Sequence, residues 1–256
     1  MVNVSSLPDD DYRERKICDL SIVPSLRCNL SCPFCMYGSS PSNSIEINFP
    51  SLRQFLGTVD WKRVPSLGFY GGEPSIEQAL YQQVFNALPI ETQDHQRFII
   101  TNGVWSKTQK ETTDFIAFCE FNKLIVFVSG TPYHMKFQNR KRLEELAKLG
   151  KIHLKADDII YPMGRARKHD WDCSRKCIWH RRPSRIAIFP SGHIIFQNCD
   201  GVDPVIGHVS YSSFDSCVEK VIEIRRWLCR RDKHNLNSLL FSLEKQSNPQ
   251  SFLRLT

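Results

Sequence analysis

Three cysteines fall within eight positions of the stretch SLRCNLSCPFCMYG, as Cys28, Cys32 and Cys35. Thiolates are soft ligands that suit iron–sulfur clusters or zinc. A disulfide framework uses cysteines in pairs, and a closed structural zinc site takes four nitrogen or sulfur ligands. The residues that follow, MYGSSPSNS, offer no histidine and no fourth cysteine. Three thiols in one loop therefore describe a metal centre with one position kept open, with three-cysteine zinc as the competing assignment.

The remaining cysteines also cluster. Of ten in 256 residues, Cys173, Cys177, Cys199, Cys217 and Cys229 lie in the second half, while Cys18 and Cys119 stand apart. The isolated pair reads as buried free thiols. The first residues, MVNVSSLPDDDYRERK, lack the basic and apolar regions of a signal peptide. No apolar run approaches the roughly 18–20 residues that span a bilayer. We therefore expect a cytoplasmic protein, where clustered thiols bind metals rather than pair as disulfides. A hydrophobic content of 41% and a charged content of 24% suit a soluble globular chain. Residues 165–185 hold eight Lys/Arg and two Asp, a local charge of +6 against a total of +7. That segment suits an acidic partner, a nucleic acid, or the compensation of cluster thiolates.

The elements that must position the cysteine loop are legible as alternating apolar runs and helical patterns, the signature of βα units and a parallel sheet. LSIVPSL (20–26) reads as a first strand running into the loop, SLGFYGG (66–72) as the second, RFIITNG (97–103) as the third and KLIVFVSG (123–130) as the fourth. KIHLKADDIIY (151–161) gives a fifth. Helical patterns lie between them, and Gly150 suits a helix C-terminus. The pattern breaks near residue 163. RIAIFPSGHIIFQN (185–198) is a hairpin signal, and a helical region follows over SSFDSCVEKVIEIRRWLCRRD. This divides the chain into a polar segment, 1–18, an α/β core, 19–163, and a C-terminal region, 164–256.

With these elements in place, C-x3-C-x-φ-C with Phe34 in its last gap resembles the signature of the radical S-adenosylmethionine (SAM) enzymes, and GGEP (71–74) resembles that superfamily's second motif. The resemblance covers residues 19 to about 163. It implies a partial (β/α) barrel of five or six parallel strands and a [4Fe–4S] cluster on Cys28, Cys32 and Cys35. In this family SAM chelates the fourth iron through its amine and carboxylate. An electron then cleaves its sulfonium bond, and the adenosyl radical takes a hydrogen atom from the substrate. Carried over residue by residue, the SAM contacts are Phe34, Gly71, Gly72, Glu73, Asn102, Ser129 and Arg140, with Arg142 as the alternative arginine. Asn102 also suits a plain Asn-Gly turn, and the two arginines a solvated helix face. Tyr133 and His134, in the loop after Ser129, are substrate-pocket candidates, His134 having a structural role as its alternative.

The second half is similar to the SPASM and twitch extensions, in which a Cys…Gly…Cys hairpin ligates an auxiliary [4Fe–4S] cluster. The implied ligands are Cys173, Cys177 and Cys199, with Cys217 or Cys229 fourth, and the region would be a small β-hairpin plus helix. The spacing departs from the family, since six residues rather than four separate Gly192 from Cys199. Zinc is the alternative metal here too. The expected activity is two-electron oxidation or cross-linking of a small molecule or peptide, served by an acidic electron donor such as flavodoxin or ferredoxin. Radical-based tRNA modification and a zinc-bearing interaction protein are the competing classes. No recognisable RNA-binding module supports the first, and the second leaves GGEP unexplained.

Overall fold

The computed structural model describes residues 19–155, 165, 185–197 and 204–229, with residues 225–229 by backbone alone. The first strand, β1 (Asp19–Ile22), is flanked on one side by β2 (Ser66–Phe69), β3 (Gln96–Thr101), β4 (Ile125–Val128) and β5 (His153–Leu154), each paired parallel to its predecessor. Its other side pairs parallel with β6 (Arg185–Ile188). Two antiparallel strands, β7 (His193–Gln197) and β8 (Val205–His208), complete an eight-stranded sheet of order β5-β4-β3-β2-β1-β6-β7-β8. Six strands are thus parallel, where the sequence pattern counts five and the resemblance implies five or six. The sixth is the first arm of the predicted hairpin. It continues the core sheet beside β1, on the edge opposite β5.

The helices form where local sequence starts them. α1 (Phe49–Leu56) has Asn48 accepting from the Ser51 N–H and proline in its first turn, and buries Leu52, Phe55 and Leu56. α2 (Gln78–Ala87) buries Leu80, Tyr81, Val84 and Phe85. α3 (Gln109–Phe121) opens on a Thr108 cap, which accepts from the Glu111 N–H at 3.2 Å and donates to its carboxylate at 2.7 Å. A short helix, α4 (Pro132–Met135), is capped by Thr131. α5 (Arg140–Lys148) is capped by Asn139 and buries Leu143, with Gly150 left-handed (φ +70°) just beyond its end. α6 (Phe214–Cys229) follows β8.

One core joins these layers. Leu20, Ile22, Leu67, Phe69, Ile99 and Val126 from the strands pack with Phe55, Leu56, Phe85, Phe115 and Leu143 from the helices. Residues of opposite parity face the other way: Tyr70, Phe98 and Phe127 form a row of rings, with centroids 5.7 and 6.2 Å apart. Cys119 is buried in the core, as its isolation in the sequence suggests. The Asp19–Arg185 pair, at 3.2 Å, clasps β1 to β6. Among the described residues no helix is long and apolar enough to cross a membrane.

Candidate active site

The cysteine loop leaves the carboxyl end of β1. Its path is fixed by residues 25–27, which bridge to Glu46 and Ser40 in the polar segment that follows. Turns from Cys35 N–H to Cys32 C=O (3.2 Å) and Gly38 N–H to Cys35 C=O (3.3 Å) curl it over the sheet end. Cys28 and Cys32 are buried and Cys35 half-buried. With Leu30 they make a small apolar cluster against Phe34, Val104, Tyr133 and Phe137.

This environment is hostile to lone thiolates. The Cys28 and Cys32 thiols are pushed up to about 12, chiefly by burial and in smaller part by the charge of neighbouring acidic groups, Cys35 among them. Yet N–H donors converge on the sulfurs. Leu30 N–H lies 3.4 Å and Asn102 Nδ2 3.7 Å from Cys28 Sγ, and His134 Nε2, a donor in one tautomer, lies 3.3 Å from Cys32 Sγ. Donors suit an acceptor-only thiolate, and a bound cation removes the electrostatic cost. The donor set therefore fits a metal cluster. Among the described residues no three His, Cys, Asp or Glu side chains converge on one ion. The thiolates of a cube each bind a different iron and need no such convergence.

The GGEP turn lies against the same loop. Gly72 donates to Ser25 C=O and Glu73 N–H to Arg27 C=O, both at 2.9 Å. A Cβ on Gly72 would stand 1.5 Å from the Arg27 carbonyl oxygen. The backbone packed against Gly72 is thus that of the chain's own cysteine-loop stem. Glu73 is 1% exposed. Its carboxylate accepts from Thr101 Oγ1 (2.6 Å), Asn102 N–H (2.8 Å) and Ser75 N–H (3.1 Å). Burial raises its pKa while these bonds oppose the rise. A carboxylate has about four acceptor sites, so one is left for a further donor.

The ends of β3 and β4 complete the rim. Asn102 also bonds Asn29 through Nδ2 at 2.7 Å and accepts from Val104 N–H at 3.0 Å, so it is both turn former and cysteine neighbour. Ser129 is half-buried at the end of β4. Gln138 donates to both Asn102 C=O and Ser129 C=O at 2.7 Å, and its Oε1 accepts from Arg140 at 3.3 Å. Arg142 donates to the Ser106 carbonyl, so the two arginines differ in what holds them. Phe34 meets the rings of Tyr133 and His134 edge to face, at 5.7 and 5.6 Å. His134 is buried with its other ring nitrogen 2.9 Å from Thr131 Oγ1.

Arg165 reaches this loop from the second half of the chain. Its guanidinium donates to Cys32 C=O (2.8 Å), Gly38 C=O (3.0 Å) and Ser39 C=O (2.6 Å), and its backbone N–H to Cys35 C=O (3.0 Å). The sequence counts it only as a basic residue. Gln138 likewise carries no sequence signal, whereas Thr131 before Pro132 is a recognisable helix cap. Of the auxiliary-site residues, Cys173, Cys177 and Cys199 lie outside the described residues, and Cys229 is the last residue of α6. Cys217 is fully buried in the core beside Gly207.

A partial barrel of six parallel strands with a three-cysteine loop after the first is the fold of the radical SAM enzymes. The crystal structure of BtrN in complex with AdoMet and 2-DOIA superposes with a TM-score of 0.55 at 14% identity, over 81% of this chain and 86% of that one. Native anSMEcpe with bound AdoMet and Kp18Cys peptide gives 0.50 at 15% identity, over 93% of each chain. At these identities the likeness is one of fold. In sequence, YydG of Bacillus subtilis (strain 168), named for peptide biosynthesis, is 24% identical over 131 residues. That match spans 50% of this chain and only 40% of YydG. No family model matches the chain.

Proposed function

We propose that the chain is a radical SAM enzyme in which Cys28, Cys32 and Cys35 hold a [4Fe–4S] cluster. The observation that carries this reading is the set of N–H donors aimed at buried cysteine sulfurs, in a loop at the end of the first strand of that fold. When bound, the cluster supplies the electron that cleaves SAM and so starts hydrogen abstraction from the substrate. The protein's own residues bind and shield. Phe34, Val104, Tyr133 and Phe137 pack against the cysteines and exclude water. Glu73 would offer its remaining acceptor site to the SAM amine, and Arg140, held by Gln138, would pair with the carboxylate. Ser129 and Asn102 serve the ribose side.

The substrate is a peptide or a small molecule. The partial match to YydG and the peptide bound in anSMEcpe support the peptide reading, and BtrN with 2-DOIA supports the small molecule. An auxiliary cluster on Cys173, Cys177 and Cys199, with Cys217 or Cys229, would make the reaction a net oxidation or cross-link, with flavodoxin or ferredoxin as electron donor. The test is SAM cleavage by anaerobically reconstituted protein. Reduced wild type should release 5′-deoxyadenosine, and Cys32→Ala should release none. A wild type that carries the full cluster yet leaves SAM intact would sink the reading.

A further inference from the structure

His134 sits where the cysteine loop meets the segment after β4, and its two ring nitrogens face Thr131 and Cys32. Thr131 Oγ1 accepts from the His134 backbone N–H at 3.3 Å and lies 2.9 Å from His134 Nδ1, to which its hydroxyl can donate. A neutral imidazole that accepts at Nδ1 carries its proton on Nε2. Nε2 lies 3.3 Å from Cys32 Sγ. The edges of Phe34 and Tyr133 hold the ring in place.

We infer that His134 is a positioning residue that donates a hydrogen bond to the Cys32 sulfur and so raises the reduction potential of the cluster bound there. The inference rests on the cluster assignment above. One-electron reduction of a cube by an external low-potential donor adds negative charge that is shared with its ligating sulfurs. A donor on such a sulfur stabilises the reduced form more than the oxidised one. No proton moves in this step, and His134 keeps its Nε2–H throughout. Cys28 takes its donors from Leu30 and Asn102, so the two sulfurs are tuned from different elements.

The experiment is a mediated redox titration of the reconstituted full-length chain, followed by electron paramagnetic resonance, with iron and sulfide assayed on each sample. His134→Phe should take up the wild-type amount of both and titrate at a lower potential. His134→Gln, which keeps an N–H donor, should recover most of the shift. Thr131→Val, which removes that hydroxyl, should shift the potential in the same direction by less. A loaded His134→Phe protein with wild-type potential overturns the inference. If that variant cannot be loaded, an unshifted Thr131→Val protein does so instead. Wild type that binds neither iron nor sulfide overturns the cluster assignment itself, and the inference with it.

Discussion

The carboxylate of Glu73 accepts the backbone N–H of Asn102 at 2.8 Å, so the turn after β2 and the turn after β3 form one unit. Thr101 Oγ1 reinforces this at 2.6 Å. Through Asn102 the same unit reaches the Cys28 sulfur. A motif residue expected to meet the cofactor therefore also braces two strand ends.

That brace has a pH signature. Burial is the largest influence on Glu73 and raises its pKa above the ordinary 4.5. A raised native value means that the folded chain binds the proton more tightly than the unfolded chain. The stabilisation is full below pH 4.5 and is lost as pH rises through the native value. Glu73→Gln removes this titration and leaves a donor facing the Asn102 N–H, at a cost of about 1–3 kcal/mol. Denaturant unfolding of both proteins at several pH values should show the wild-type advantage shrinking as pH rises. An advantage that grows with pH would contradict the sign.

Arg165 ties the second half of the chain to the cysteine loop through three loop carbonyls. Hydrogen bonds from a charged donor contribute about 1.5–3 kcal/mol each when buried, less when solvent screens them. Arg165 is half-buried, so Arg165→Ala should cost about 2–3 kcal/mol in all. The loosened loop should surrender iron to a chelator several-fold faster. Arg165→Lys keeps the charge without the planar fork and should recover only part of the loss. Equal chelation rates for wild type and the alanine variant would remove the clamp from the account.

The two arginines of α5 should separate. Arg142 is held by the Ser106 carbonyl, so Arg142→Ala should lower thermal stability and leave SAM affinity close to wild type. Arg140, held by the Gln138 side chain, should matter for affinity. Losing one charge-assisted contact to a carboxylate weakens binding roughly tenfold, at about 1.4 kcal/mol. Calorimetric titration of SAM into the loaded protein checks both, and the reverse ranking would exchange their roles.

The cysteine loop, GGEP and the order of the first five strands were legible because each is a local pattern. A run of alternating βα units also implies that successive strands are neighbours. Other features depend on contacts that no local pattern records. The first arm of the 185–197 hairpin is joined to β1 by the shared register, the Asp19–Arg185 pair and the Val23 N–H to Ile188 C=O bond, none of them a local pattern. Gly72 is legible as a motif glycine, but its packing against the carbonyl of Arg27 is not. Arg165 is 133 residues from the Cys32 carbonyl that it grips, and Gln138 is 36 from Asn102. Neither has a motif of its own. His134 lies in α4, which the sequence reads as part of a loop after Ser129, and its contact with the Cys32 sulfur required the fold.

The central claim is tested most directly by iron, zinc and acid-labile sulfide analysis of anaerobically reconstituted protein. One cube holds about four irons and four sulfides. Replacing Cys28, Cys32 and Cys35 together by alanine should remove about that amount from the wild-type total, whatever the C-terminal cysteines retain. Stoichiometric zinc without labile sulfide in the wild type, or an unchanged iron content in the triple variant, would contradict the account.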